Sequence, residues 1–224
     1  MTSREAILGA LRRAIGRTGE DAVRKEAVRA RLAEHARGII PKRGQLAGPA
    51  RVALFRKMLE EVSASVETVN GEGEIPGAVA RWLRGRNAPQ SLVHGADPLL
   101  ADLPWDLEPE LKRRQGKAVG DDVNGLSRAV CGVAETGTLM LLSGPDNPST
   151  INFLPENHVI VVSAADIEGD YESAWDRLRA LNGDKGMPRT VNLVTGPSRS
   201  ADIEQTLLLG AHGPRALHVI IVEN

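Results

Sequence analysis

Two short stretches of the sequence combine turn-forming residues with side chains that bind or move charge. The first is the segment Glu135–Thr138, in which a carboxylate precedes a Thr-Gly-Thr turn. The second is the segment Gly196–Glu204, whose relevant members are Gly196, Pro197, Ser198, Arg199, Ser200, Asp202 and Glu204. Backbone amides exposed at a glycine turn, hydroxyls and a guanidinium are together suited to holding a small anion.

The segment around position 196 is predicted to run as strand, turn and helix. Val191–Val194 is apolar apart from one Asn, and a Gly-Pro pair at 196–197 interrupts it. Apolar residues then recur at helical spacing between positions 203 and 210. Ser198 or Ser200 is suited to cap that helix, because a serine hydroxyl accepts a hydrogen bond from a first-turn amide.

The start of such a helix is a candidate site for a carboxylate or phosphate. Its uncovered amides and positive dipole end favour an anion, and Arg199 adds a planar cation. A structural interpretation stays open, because Asp202 and Glu204 already satisfy the dipole and repel an anion. Asp202 could also hold Arg199 in an internal ion pair. The residues predicted to bind the ligand are Thr136, Gly137, Thr138, Gly196, Pro197, Ser198, Arg199, Ser200, Asp202 and Glu204.

Glu135 is predicted to lie in a tight turn between two buried strands, since apolar runs flank the segment on both sides. A carboxylate there has two alternative roles. It anchors the turn by accepting backbone and hydroxyl hydrogen bonds, or it faces a cleft and acts as an acid or base. The residues favour the anchor.

Two histidines and several acidic residues are candidates for catalysis or for a metal-binding site. His212 precedes a Gly-Pro turn and is, with Glu135, a candidate for proton transfer. His158 stands at the entrance of a strand, where a histidine is more often structural. A metal site built from Glu135, Asp202, Glu204 and His212 has suitable ligand types but no diagnostic spacing, so no metal is expected.

Composition describes an ordinary soluble chain of 224 residues, with 42% hydrophobic and 25% charged residues. No apolar run is long enough for a membrane span, so the expected location is cytoplasmic, without a membrane partner.

The charge is unevenly distributed: residues 1–60 carry 14 Lys and Arg against 6 Asp and Glu. Because no aromatics are interleaved with these charges, no nucleic-acid partner is expected, and docking on an acidic protein is favoured.

Cys131 is the only cysteine of the sequence. A single thiol forms no internal disulfide and cannot hold an iron–sulfur cluster or a cysteine-based zinc site. No cofactor is therefore expected in this chain, and any redox centre must be supplied by another protein.

Alternating strands and helices predict an α/β fold, with a mainly parallel sheet and helices on both faces. The strands are Val66–Val69, Ser91–Val93, Val159–Val162, Thr190–Val194 and Leu217–Val222, with the Glu135 hairpin as an antiparallel element. The segment Pro104–Gly120 is predicted to be an irregular surface excursion. Residues 1–48 are predicted to form a basic helical arm, ahead of an α/β domain at 49–224.

Four motifs in order give this sequence a resemblance to a known family. They are Ala134-Glu135-Thr136-Gly137-Thr138, Leu154-Pro155 with His158 before Val-Ile-Val-Val, the run from Gly196 to Glu204, and Gly210-Ala211-His212-Gly213-Pro214. Together they resemble the lactate-utilisation protein C family, also called the LUD domain. Ser200 stands where that family commonly has Thr, and Ala211 where Val is common.

The resemblance implies a fold similar to that of ribose-5-phosphate isomerase, glucosamine-6-phosphate deaminase and the CoA-transferases. It also implies a role beside iron–sulfur partner subunits in the oxidation of L-lactate to pyruvate. Two hypotheses follow. The chain is an active-site subunit that binds a small carboxylate at the Gly196–Arg199 turn, or a non-catalytic assembly or regulatory subunit whose basic arm docks on those partners. Catalysis by this chain alone is not expected.

Overall fold

The computed structural model describes residues 2–16, 21–183, 186–200 and 208–223. The chain divides into two compact units, Met1–Ile39 and Ile40–Asn224. This division falls ahead of the predicted boundary at residue 48. Residues 40–48 group with the larger unit because Gly44 packs against the backbone of Gly169 and Gln45 donates a hydrogen bond to Asp170 at 3.2 Å.

The smaller unit consists of two amphipathic helices, α1 (Ser3–Ala14) and α2 (Ala22–Glu34). Thr2 caps α1 through a capping box with Glu5, in which each side chain accepts a hydrogen bond from the other residue's amide. Asp21 caps α2. Neither helix buries a residue, so the stability of this unit does not come from a core of its own.

The larger unit is built on a six-stranded sheet. Its strands are β1 (Ser65–Val69), β2 (Ser91–His94), β3 (Lys112–Gln115), β4 (Asn124–Arg128), β7 (Asn157–Ser163) and β12 (Ala216–Val222). Every strand pair is parallel, and the order is β1-β12-β7-β4-β2-β3. The four central strands are almost wholly buried, which matches their apolar runs.

One face of this sheet packs on α4 (Ile75–Gly85) and α5 (Pro98–Asp102). The other face packs on α3 (Gly48–Glu61) and on a second sheet. The strands of the second sheet are β5 (Cys131–Val133), β6 (Thr138–Leu142), β8 (Ile167–Glu168) and β9 (Val191–Val194), in the order β8-β5-β6-β9. The helix α6 (Tyr171–Asn182) covers the far side of this sheet. The predicted α/β class, with a mainly parallel sheet and helices on both faces, is confirmed.

Three local predictions are wrong. The polar segment Pro104–Gly120 contains β3, an exposed edge strand without the apolar pattern that marks a buried one. The strand Val191–Val194 pairs antiparallel with β6 and so belongs to the second sheet. The helix predicted to start at Ser198 is wrong at its two described ends, where β10 (Arg199–Ser200) pairs with β11 (Leu208–Leu209). The intervening residues 201–207 lie outside the described residues.

Candidate functional site

The Glu135 segment forms the turn of the β5–β6 hairpin, as predicted. Gly137 adopts a positive φ of 66° and donates its amide hydrogen to the Val133 carbonyl at 3.0 Å. A Cβ at this position would lie 2.7 Å from the backbone nitrogen of Leu59, near the end of α3. Only glycine therefore allows the hairpin turn to pack this closely on the helix.

The Glu135 side chain lies beneath this turn with an exposed fraction of only 4%. Its Oε1 accepts a hydrogen bond from the Tyr171 amide, at the start of α6, at 3.4 Å. Its Oε2 is fully buried and has no hydrogen-bond partner among the described residues. Glu135 thus anchors the hairpin to α6 through one oxygen and leaves the other available.

Four hydroxyls gather beside Glu135 and form what we call the hydroxyl cluster: Thr136, Thr138, Tyr171 and Thr195. Thr138 is the hub, at 2.7 Å from Thr136, 2.8 Å from Tyr171 and 2.6 Å from Thr195. Thr136 donates to the Tyr171 oxygen at 3.1 Å. Because each hydroxyl has one proton, Tyr171 must then donate to Thr138, Thr138 to Thr136, and Thr195 to Thr138.

This assignment uses every proton of the hydroxyl cluster internally. The lone pairs left over on Thr136, Tyr171 and Thr195 accept hydrogen bonds but donate none. An anion therefore gains a hydroxyl donor here only if a proton turns outward, and Thr195 is the one exposed member of the cluster. Thr136 and Thr138 in their present arrangement stabilise the hairpin.

The turn around Gly196 lies next to the Glu135 turn. The Thr138–Thr195 contact joins the two, and Gly196, with φ at 80°, presses on the last residues of α3. A Cβ on Gly196 would lie 2.7 Å from the Val62 carbonyl oxygen. The Arg199 guanidinium donates a hydrogen bond to that same oxygen. Two turns far apart in sequence therefore meet at the carboxyl end of α3.

Ser198 does not cap a helix. Its amide donates to the Pro214 carbonyl at 2.8 Å, and its hydroxyl accepts a hydrogen bond from the His212 amide at 3.3 Å. Its carbonyl accepts one from the Gly210 amide at 2.9 Å. The Ser198 amide is therefore not available to an anion. Hydrogen bonds instead connect the Gly196 turn to the Gly210–Pro214 turn.

The remaining predicted site residues are placed as follows. Pro197 is buried, and Ser200 pairs with Leu208 in the short β10–β11 ribbon. His212 is exposed and lines a cavity of about 720 Å³, in which Leu154, Leu209 and Arg215 are neighbours and Glu135 takes no part. Asp202 and Glu204 lie outside the described residues.

His158 has a structural role. It is 1% exposed, and its Nε2 lies 2.9 Å from the Ser127 hydroxyl, inside a buried polar network. Burial lowers the pKa of His158 to about 3, so the ring is neutral at neutral pH. Ser127 continues the network to Asn147 at 2.9 Å.

The described residues offer few groups for metal or redox chemistry. The described residues contain no cluster of three or more His, Cys, Asp or Glu side chains arranged to hold a metal ion. Cys131 is fully buried, and burial raises the pKa of its thiol to about 12. Among the described residues, no helix has both the length and the apolar character needed to cross a bilayer.

Sequence reasoning missed Tyr171 and Thr195 as members of this site. Tyr171 is the first residue of α6, where an aromatic residue in the sequence suggests packing and not a polar contact. Thr195 directly follows a strand, the position where polar side chains gather at a sheet edge. That position was the available signal.

Comparison with known proteins identifies the family. A family model described as the LUD domain matches residues 52–222. An uncharacterised protein of Neisseria meningitidis serogroup B is 40% identical over 98 residues, which are 44% of this chain and 41% of that protein. A protein of Anoxybacillus flavithermus named lactate utilization protein C is 35% identical over 111 residues, 46% of this chain and 49% of its own. The matches span about half the length of these curated relatives.

A solved structure supports the same fold. The crystal structure of a DUF162 family protein from Deinococcus radiodurans superposes with a TM-score of 0.59 and 22% sequence identity, covering 79% of this chain and 99% of the other. Since the family model covers most of the α/β unit, this chain belongs to the LUD domain family.

Proposed function

We propose that this chain is a subunit of an L-lactate utilisation system that works with iron–sulfur partner subunits. Relatives that carry the name lactate utilization protein C support this role. Oxidation of L-lactate to pyruvate releases two electrons and two protons. Because one buried thiol cannot hold a cluster, the electrons pass to the partner proteins, which are expected to contain the iron–sulfur clusters.

The meeting of two turns at the end of α3 is the observation that carries the binding proposal. Arg199 is exposed there, and no described carboxylate lies within ion-pair distance of it. A small carboxylate that binds here would replace the Val62 carbonyl oxygen as the acceptor for Arg199. It would form two charge-assisted hydrogen bonds with the guanidinium, each worth roughly 1.5 to 3 kcal/mol. Thr195 adds a third donor when its proton turns outward.

Glu135 is the proposed proton acceptor of this site. Its Oε2 has no partner among the described residues, and the carboxylate lies under the turn that contacts α3. His212 is the second proposed proton carrier, since its amide is tied to the Gly196 turn through Ser198. In these roles Glu135 and His212 exchange a proton with the hydroxyl of the ligand.

The test is lactate-dependent dye reduction by the full chain reconstituted with its iron–sulfur partners. Arg199→Ala removes both charge-assisted hydrogen bonds and should reduce the rate at saturating partner and low lactate by at least about tenfold, the effect of losing even one of them. Arg189→Ala, an exposed arginine just before β9, is the matched control and should keep the rate. An Arg199→Ala complex with unchanged rate and unchanged lactate dependence rules out the binding role.

A non-catalytic assembly role is the second candidate, favoured by the hydroxyl cluster, whose protons are all used internally. In that case Glu135, Thr136 and Thr138 only shape the fold. The basic unit at residues 1–39 then docks on acidic partner surfaces, and its removal should abolish co-purification with the partners. Partners that still co-elute at moderate salt would exclude this unit as the tether.

A further inference from the structure

A second cavity, of about 460 Å³, lies at the carboxyl ends of β2 and β3. The strand register sets Leu92 beside Arg113 and His94 beside Gln115, so these four side chains share one face of the sheet. The carboxyl ends of parallel strands are where open α/β sheets bind ligands. This cavity shares no lining residue with the site proposed above.

His94 supplies a neutral hydrogen-bond acceptor to the cavity. Its Nδ1 lies 2.7 Å from the Gly95 carbonyl oxygen, a contact that requires the proton on Nδ1. Its Nε2 makes no hydrogen bond to a described residue, and His94 forms part of the cavity wall. Burial lowers the pKa of His94, so the ring stays neutral and Nε2 keeps its lone pair. A ligand hydroxyl is the natural donor to such a nitrogen.

Arg113 supplies the cation. Its guanidinium stacks over the Trp105 ring, 5.1 Å from the ring centroid. Within the described ranges, no carboxylate approaches Arg113 to ion-pair distance, although most arginines near this sheet edge are paired. The stacking fixes the plane of the guanidinium and leaves its edge to an anion.

The acidic residues of the wall limit the charge that the cavity accepts. Glu108 is paired with Arg84 at 3.1 Å, and Asp106 is exposed. One unpaired cation beside two carboxylates favours a monoanion and disfavours a dianionic phosphate. The same carboxylates accept hydrogen bonds from hydroxyls.

We infer that the cavity at the carboxyl ends of β2 and β3 binds a monoanionic polyhydroxy acid, with its carboxylate on Arg113 and a hydroxyl on His94 Nε2. The volume lies within the range of small-molecule pockets, and three acceptors beside one cation match several hydroxyls beside one carboxylate. Gln115, at the rim, supplies an amide for a further hydroxyl. This activity is separate from the proposed handling of lactate.

Calorimetric titration of the full chain with four matched probes tests the inference. D-gluconate carries both features, D-glucose lacks the carboxylate, hexanoate lacks the hydroxyls, and glucose 6-phosphate is a dianion. Gluconate should bind saturably, and the other three at least about tenfold more weakly. Equal binding of hexanoate, or tighter binding of glucose 6-phosphate, overturns the assignment of the ligand class, and absence of saturable gluconate binding overturns the site.

Three variants locate the binding. Arg113→Gln should weaken gluconate at least about tenfold. His94→Asn keeps a donor for the Gly95 carbonyl but removes Nε2, and should weaken gluconate binding by about three- to tenfold.

Arg86→Gln is the matched control, because Arg86 also stacks over a tryptophan, at 5.2 Å from the Trp82 centroid, but lies outside the cavity. Gluconate affinity that is unchanged in Arg113→Gln, or lowered equally in Arg86→Gln, contradicts the proposal. Lactate titration of the Arg113→Gln chain should be unaffected, which separates this site from that of Arg199.

Discussion

The hydroxyl oxygen of Thr138 lies 2.6 Å from that of Thr195, although 57 positions separate the two residues. Thr138 begins β6, and Thr195 directly follows β9, its antiparallel neighbour. The contact therefore closes one end of the second sheet, where the Glu135 and Gly196 turns meet. The proposed carboxylate site depends on this closure.

The hub of the hydroxyl cluster should be the most sensitive of its members. Thr138→Val removes three hydrogen bonds at a fully buried position and should lower the free energy of unfolding by about 2 kcal/mol, measured by urea denaturation. Thr136→Val, which removes two bonds at a half-buried position, should cost about 1 kcal/mol. Thr190→Val, at an exposed position, is the control. Equal decreases in the free energy of unfolding in all three variants would contradict the role of Thr138 as the hub of the hydroxyl cluster.

The hairpin turn should reject any side chain at position 137. Gly137→Ala combines a positive φ with a Cβ pressed against the α3 backbone, and should lower the free energy of unfolding by at least about 2 kcal/mol. Gly144→Ala has open space around its Cβ and should change stability by less than about 0.5 kcal/mol. A tolerated Ala at position 137 would mean that the turn does not pack on α3 as described.

Replacing one atom of Glu135 separates anchor from proton acceptor. Glu135→Gln keeps an oxygen for the Tyr171 amide, so the free energy of unfolding should stay within about 1 kcal/mol of the parent value. Lactate-dependent dye reduction should fall at least about tenfold, because the amide does not accept a proton. A Glu135→Gln variant that is destabilised but fully active would exclude the proton-acceptor role and support the anchor role.

Buried histidines should make stability depend on pH. The pKa of His218 is lowered by burial from 6.5 to about 4, so the unfolded chain binds this proton more readily than the folded chain. The free energy of unfolding should therefore fall as the pH drops below 6.5, by up to about 1.4 kcal/mol per pH unit for this residue, and level off near pH 4. His158 extends the loss toward pH 3.

Urea denaturation at several pH values checks this dependence. His218→Asn keeps an amide near Ser65, whose hydroxyl lies 2.8 Å from the His218 Nδ1, and should reduce the slope below pH 6.5. His35→Asn, at an exposed position in the smaller unit, should leave the slope as it is. A slope that stays the same in His218→Asn would contradict the burial argument.

The position of a truncation should matter. Removing residues 1–39 should leave the melting temperature of the larger unit unchanged, because the division between the units falls there. Removing residues 1–48 also deletes Gly44, which packs on Gly169, and Gln45, which bonds to Asp170, and should lower the melting temperature by several degrees, as expected for a loss of about 1 kcal/mol. Differential scanning calorimetry distinguishes the two, and equal melting temperatures would contradict the packing of residues 40–48.

The sequence predicted those parts of the fold in which burial leaves a clear pattern. The strands at Val159–Val162 and Leu217–Val222 are apolar on both faces, and the Glu135 hairpin was recognisable from two apolar runs around a Thr-Gly pair. Lys112–Gln115 has no such pattern, because an edge strand needs no apolar side chains once its backbone pairs on one side. Strand pairing was the physical information missing there.

The candidate site was predictable in its location but not in its hydrogen bonds. Both turns lie at the ends of predicted strands, which is where the loops of an α/β sheet gather. The use of the Ser198 amide by Pro214 depends on the Gly210–Pro214 turn, which approaches only in the folded chain. Periodicity at 203–210 predicts a helix from Ser198, but Arg199–Ser200 and Leu208–Leu209, at the two described ends of that prediction, pair as strands.

Calorimetric titration of the full chain with L-lactate tests the central claim most directly, since it needs no partner protein. The parent chain and Arg189→Ala should bind L-lactate saturably and with equal affinity, and Arg199→Ala should bind it at least about tenfold more weakly. An Arg199→Ala chain that binds L-lactate as tightly as the parent would contradict the carboxylate site at the end of α3.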